Sequence, residues 1–64
     1  MTLEDTKIIA GAINRTNFVN EMDKNVVRRK AKHDCLKLMM SDLIGQFNNS
    51  VDDFDEKTFI NSIL

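Results

Sequence analysis

Three short runs in this chain hold side chains able to do chemistry: His33-Asp34-Cys35, Asp52-Asp53-Phe54-Asp55-Glu56 and Arg28-Arg29-Lys30-Ala31-Lys32-His33. The first has the residue types of a cysteine-protease site. A nucleophilic thiol needs its base within hydrogen-bond reach, and consecutive residues of a helix point about 100° apart, so these three cannot activate one another. Cys35 reads instead as a small apolar residue. His33, beside Arg29 and Leu36, reads as a core-boundary residue whose partial burial would make assembly pH-sensitive. The acidic run lacks the alternation of acids and the central glycine of a calcium loop. Gly11 and Gly45 form no phosphate loop. No catalytic residue, metal or cofactor is expected, and the chain does not read as an enzyme.

The basic run is the best candidate for nucleic-acid contact, through Arg28, Arg29, Lys30 and Lys32. On a helix these side chains spread around the circumference and line no single face. The net charge of −1 also disfavours non-specific affinity for a polyanion. Contact with nucleic acid is therefore the second reading, behind contact with protein. That net charge hides an asymmetry: residues 24–37 hold six Lys and Arg against one Asp, and residues 51–64 hold four acids against one Lys. A basic middle and an acidic end attract each other, within one chain or between copies.

Helices must position these groups. Proline is absent, no stretch sustains strand alternation, and helical periodicity appears three times. Thr2 caps a first helix with Glu4 and Asp5 in its opening turn. Leu3, Thr6, Ile9, Ala10 and Ile13 share one side of it, with Ile8 well off that stripe. Asn14-Arg15-Thr16-Asn17 reads as a connection, with Asn17 or Asn20 capping the next helix. From Phe18 to Phe47 apolar residues then occupy two sides. One stripe holds Phe18, Met22, Val26, Leu36, Met39, Met40, Leu43, Ile44 and Phe47. The other holds Val27, Ala31, Cys35 and Leu38, roughly opposite. Gly45 is a possible break, and Asn48-Asn49-Ser50 a clearer stop. Asp55 caps the last helix, and Phe54 with Phe59 has the spacing of a hydrophobic staple.

The expected fold is all-α: one domain over residues 1–64, with helices at about 2–14, 18–48 and 55–63, the central one longest. A chain of this size buries only about 60 % of its unfolded surface. The single Cys35 excludes an internal disulfide and no Cys/His cluster offers a zinc site, which leaves oligomerisation as the compensation. The second stripe has no claimant within the chain. A helical homodimer is therefore expected, with central helices antiparallel about a two-fold axis and Val27, Ala31, Cys35 and Leu38 at the contact. An unidentified protein is the expected partner.

No run approaches the ~20 apolar residues of a membrane span. The acidic Met1-Thr2-Leu3-Glu4-Asp5 lacks the order of a signal peptide, and one free cysteine fits a reducing compartment. These features predict a cytoplasmic protein with no membrane contact.

The opening Met1-Thr2, Asp5, Ile9-Ala10 and Ala12-Ile13, with the closing Phe54-Asp55-Glu56-Lys57-Thr58-Phe59, resemble a group of short uncharacterised tailed-bacteriophage proteins. Those open with M-T-x-x-D-(aromatic)-x-x-I-A and close with N-P-x-F-D-x-x-x-F. Here Thr6 stands where an aromatic is usual, Ser50-Val51-Asp52-Asp53 replaces the N-P-x step, and Ile63-Leu64 replaces a common Cys-Gly ending. The resemblance implies a phage origin and a place in the cytoplasm of an infected bacterium. It implies no activity.

Overall fold

Thr2 starts the first helix by a reciprocal cap. Its Oγ1 accepts from the Asp5 amide at 3.2 Å, and its own amide donates to Asp5 Oδ2 at 3.0 Å. In this computed structural model, which describes residues 1–64, the helix that follows, α1, spans Leu3–Glu21. The second, α2, spans Val26–Ser50 and the third, α3, Glu56–Ile63. The fold is all-α, with the middle helix longest. At 1.5 Å per residue, the 25 residues of α2 account for most of the 40 Å long axis of a molecule only 17 × 16 Å across.

The first connection lies later than the sequence pattern suggests. Residues 14–17, expected to be a turn, are helical, and α1 runs on to Glu21. Asn and Thr favour turns when their side chains compete for nearby backbone, but here Thr16 bonds back along the helix in a way the helix accommodates, and Asn14 reaches out of it. Thr16 Oγ1 donates to the Ala12 carbonyl at 3.0 Å, and Asn14 Nδ2 donates across the molecule to the Ile63 carbonyl at 2.9 Å. The cap of α2 is Asn25, not Asn17 or Asn20; its side chain accepts from the Arg28 amide at 3.0 Å. The long apolar run is therefore divided between two antiparallel helices. Phe18 and Met22 end α1 and Val26 begins α2, all about two-thirds exposed, so they do not continue the stripe that buries Phe47. α2 passes through Gly45 without a break and ends at Ser50.

The core is built at one end, here called the base. Ala10 and Ile13 of α1, Leu36, Met40 and Phe47 of α2, Val51, and Phe59 and Ile63 of α3 are buried there. Phe47 lies edge-on to Phe54 and Phe59, with ring centroids 5.3 and 5.5 Å away. Phe54 and Phe59, on either side of the Asp55 cap, stand 5.5 Å apart, as a staple requires. Buried Thr6 satisfies its hydroxyl on the Leu3 carbonyl at 2.6 Å. Asp53 closes the α2–α3 loop at φ 61°, a left-handed conformation that Asp tolerates better than most residues.

Candidate functional site

The hairpin corner organises the basic segment. Asp23, whose side chain is only 9 % exposed, accepts from the Asn25 amide at 3.0 Å and from Arg28 through Nε and, at 2.8 Å, Nη2. Lys32 Nζ donates to the same carboxylate at 3.2 Å, and Arg29 Nη1 reaches the Asp23 carbonyl at 3.3 Å. The Arg28 guanidinium, then the Asn25 amide, hold the Asp23 carboxyl well below the usual carboxylate range. Lys30 pairs with Asp34, one turn on, at 3.2 Å. The four basic residues singled out from sequence are thus each anchored within the chain. Arg28 and Lys32 converge on Asp23, while Arg29 and Lys30 line a groove facing α1.

The other chemical runs stay separate. Cys35 is exposed on the outer side of α2, and His33 is half-buried in that groove, so thiol and imidazole point away from each other. Asp55 spends its carboxylate on the Lys57 amide at 3.1 Å and the Thr58 hydroxyl at 2.9 Å. Both contacts favour its ionised form and lower its pKa, the Thr58 hydroxyl most. No three His, Cys, Asp or Glu side chains converge on a point that could hold a metal ion.

Val27, Ala31, Cys35 and Leu38 are all exposed on one side of α2, opposite the side that buries Leu36, Met40 and Phe47. Val27 retains 80 % of its accessible surface and Leu38 75 %, and no element of the chain covers them. Three residues extend the apolar surface at the hairpin tip: Val19 of α1, unremarked in the sequence pattern, and Phe18 and Met22, which the pattern assigned to the core stripe. Val19 falls with Ile8 on the side of α1 away from Ala10 and Ile13. Ile8, off the main stripe in the periodicity, is indeed 64 % exposed.

The groove has an unusual lining. Where α1 and α2 face each other beyond Ile13 and Leu36, the inward positions are Asn17, Asn20, Arg29 and His33. The tip is polar inside and apolar outside. The sequence pattern offers Asn17 and Asn20 only as candidate caps and leaves Glu21 within the expected central helix; the one signal for a polar groove is the absence of apolar residues at core spacing after Ile13. No helix is long and apolar enough to cross a membrane. Comparison with protein-family models, with characterised proteins and with solved structures found no match.

Proposed function

We propose that this protein acts by contact, as a non-enzymatic protein-binding module of phage origin that pairs with a second copy of itself through the outer side of α2. The observation that carries the reading is the uncovered stripe Val27, Ala31, Cys35 and Leu38 on the longest helix. A two-fold axis between Ala31 and Cys35 sets Val27 against Leu38 of the other copy. The flank is self-complementary: Lys30 and Asp34 lie on one edge of the stripe, and antiparallel pairing sets each near its opposite charge on the second chain. Burying Val27 and Leu38 on both copies contributes about 6–12 kcal/mol, at 1.5–3 kcal/mol per side chain. Association costs about 4–15 kcal/mol, so the dimer is weak.

Sedimentation equilibrium tests this reading. The expected result is a monomer–dimer equilibrium at concentrations on the order of 10–100 µM, abolished by Leu38→Asp in a chain that keeps its helicity. A concentration-independent monomer mass in the unaltered chain overturns it.

The second reading, a small nucleic-acid-binding regulator using Arg28, Arg29, Lys30 and Lys32, is favoured by one observation. Six Lys and Arg lie between residues 15 and 33 against two acids, which makes the tip positive. Salt separates the two readings. It weakens binding to a polyanion steeply, whereas a pair held mainly by Val27 and Leu38 changes little, since salt screens its attractive and repulsive charges alike. Retention on DNA that falls steeply with salt would establish the second reading, and no retention at low salt removes it.

A further inference from the structure

The third helix covers only half of the groove it occupies. Eight residues long, it spans about 12 Å, whereas α1 and α2 run on towards the tip. On the side towards α1, α3 sets Phe59 and Ser62 near Thr6 and Ala10. On the side towards α2, it sets Ile60 and Leu64 near Met40 and Ile44. Beyond its end the same side of the hairpin stays open. A hollow lined by Asn14, Asn17, Phe18 and Glu21 begins at Ile63 and Leu64. A second, of about 390 Å³, continues between α1 and α2 to Val26. The two share Asn17 and Glu21, so one track runs from the end of α3 to the corner. The open part extends over residues 14–21 of α1 and 26–33 of α2, about 10 Å of helix rise, or two turns.

The lining changes along this track. Under α3 it is apolar, and beyond α3 one wall offers Arg29, Lys30 and His33 and the other the amides of Asn17 and Asn20, with Glu21 as the one acid. The charges of the whole molecule reinforce the difference. The tip, residues 15–33, holds six Lys and Arg against Glu21 and Asp23. The base, residues 1–7 and 51–58, holds six Asp and Glu against Lys7 and Lys57. Net charge is therefore +4 at one end of a 40 Å rod and −4 at the other. An apolar helix finds no counterpart in the open groove, because the amides of Asn17 and Asn20 would lose water without gaining partners. A helix carrying carboxylates satisfies them and meets a favourable field on approach.

We propose that the open half of the α1–α2 groove is the docking site for a partner protein's acidic helical segment, which extends the track of α3 and completes a three-helix bundle along the whole hairpin. The proposal rests on the reading of the chain as a protein-binding module and names the partner's chemistry. It uses the inner side of α2, so it stands or falls separately from pairing through the outer side.

The test uses the full chain, 15N-labelled, titrated at low salt with a synthetic two-to-three-turn amphipathic peptide bearing Glu at helical spacing. A peptide with Lys in place of Glu and a single-stranded DNA oligomer of similar length are titrated in parallel. The expected result is saturable shift changes at the Asn17 and Asn20 side-chain amides and at the backbone of Arg29 and His33. The Glu peptide should bind at least tenfold tighter than the Lys peptide, and Arg29→Glu, on the inner side only, should cost at least tenfold. Leu38→Asp should bind the peptide unchanged, which separates failure of the groove from failure of the outer stripe. Shifts at Val27 and Leu38 instead, equal response to both peptides, or no response by about 1 mM peptide overturn the proposal. Tighter binding of the DNA at the same residues overturns it in favour of a polynucleotide. Salt-sensitive growth in mass without peptide, with shifts at Asp52 and Asp53, overturns it in favour of the base of a second copy.

Discussion

Replacing Phe47 by alanine should remove most of the stability of this fold, and replacing Phe18 should remove almost none. Both residues fall on one stripe in the sequence pattern. In the structure Phe47 is 3 % exposed and Phe18 65 %. A buried Phe→Ala change costs about 3–5 kcal/mol. The upper part of that range is expected, because two edge-to-face partners at 5.3 and 5.5 Å contribute about 0.5–1.5 kcal/mol each beyond area. A chain of 64 residues has roughly 3–10 kcal/mol in total, at 0.05–0.15 kcal/mol per residue. Phe47→Ala should therefore be largely unfolded, or show a urea midpoint lowered by several molar at a slope of about 1 kcal/mol per molar. Phe18→Ala should stay within about 0.5 kcal/mol of the parent. The assay is urea unfolding followed by far-ultraviolet circular dichroism, at a concentration low enough that self-association adds nothing. A loss below about 1.5 kcal/mol for Phe47→Ala, well under the cavity range, or equal losses for the two variants, would refute the division of the apolar run between two helices.

Asn25→Ala should cost about 1 kcal/mol, the usual contribution of an N-cap, measured in the same urea assay; no change would contradict the corner at Asp23–Asn25. Asp23→Asn addresses acid stability. The folded-state pKa of Asp23 is depressed, so its contribution is present above the ordinary value of 3.8 and lost as pH falls below it. The variant should flatten the decline in melting temperature below about pH 4 without abolishing it, since Asp5 and Asp55 are lowered too. An unchanged acid limb would contradict the Arg28–Asp23–Lys32 arrangement. Gly45→Ala should raise stability by about 0.5–1 kcal/mol, the helix-propensity difference, because an added Cβ meets nothing within 4 Å. A destabilised variant would show that the outer side of α2 is occupied at that point.

Helix identity was legible wherever a cap and a periodic apolar set coincided. Thr2 with Asp5, and Asp55 between Phe54 and Phe59, mark the starts of α1 and α3 because side chain and backbone interact within one turn. The corner was not legible for the converse reason. Asn14, Thr16 and Asn17 have the composition of a turn, but Asn14 is taken up by a carbonyl 49 residues away, which no local pattern records. Met22-Asp23-Lys24-Asn25 contains no Gly or Pro, and its turn depends on Asp23 drawing in Arg28 and Lys32 from the next helix. A corner at residues 14–17 would merge two apolar sets into one stripe; the corner at Asp23–Asn25 separates them and opens the polar groove. The outer set Val27, Ala31, Cys35 and Leu38 was legible because it lies wholly within α2, where spacing alone determines the side.

Contact between the outer sides of α2 in two copies can be observed directly. Val27 and Leu38 lie eleven residues apart in sequence on one continuous helix, which separates them by about 16 Å within a chain, beyond the reach of a methyl nuclear Overhauser effect. Antiparallel pairing about Ala31 and Cys35 brings Val27 of one copy against Leu38 of the other. A methyl-resolved spectrum at millimolar concentration should therefore contain a Val27–Leu38 cross-peak that disappears in Leu38→Asp and fades on dilution. A spectrum without that cross-peak, from a sample that sediments as a monomer at the same concentration, contradicts the account.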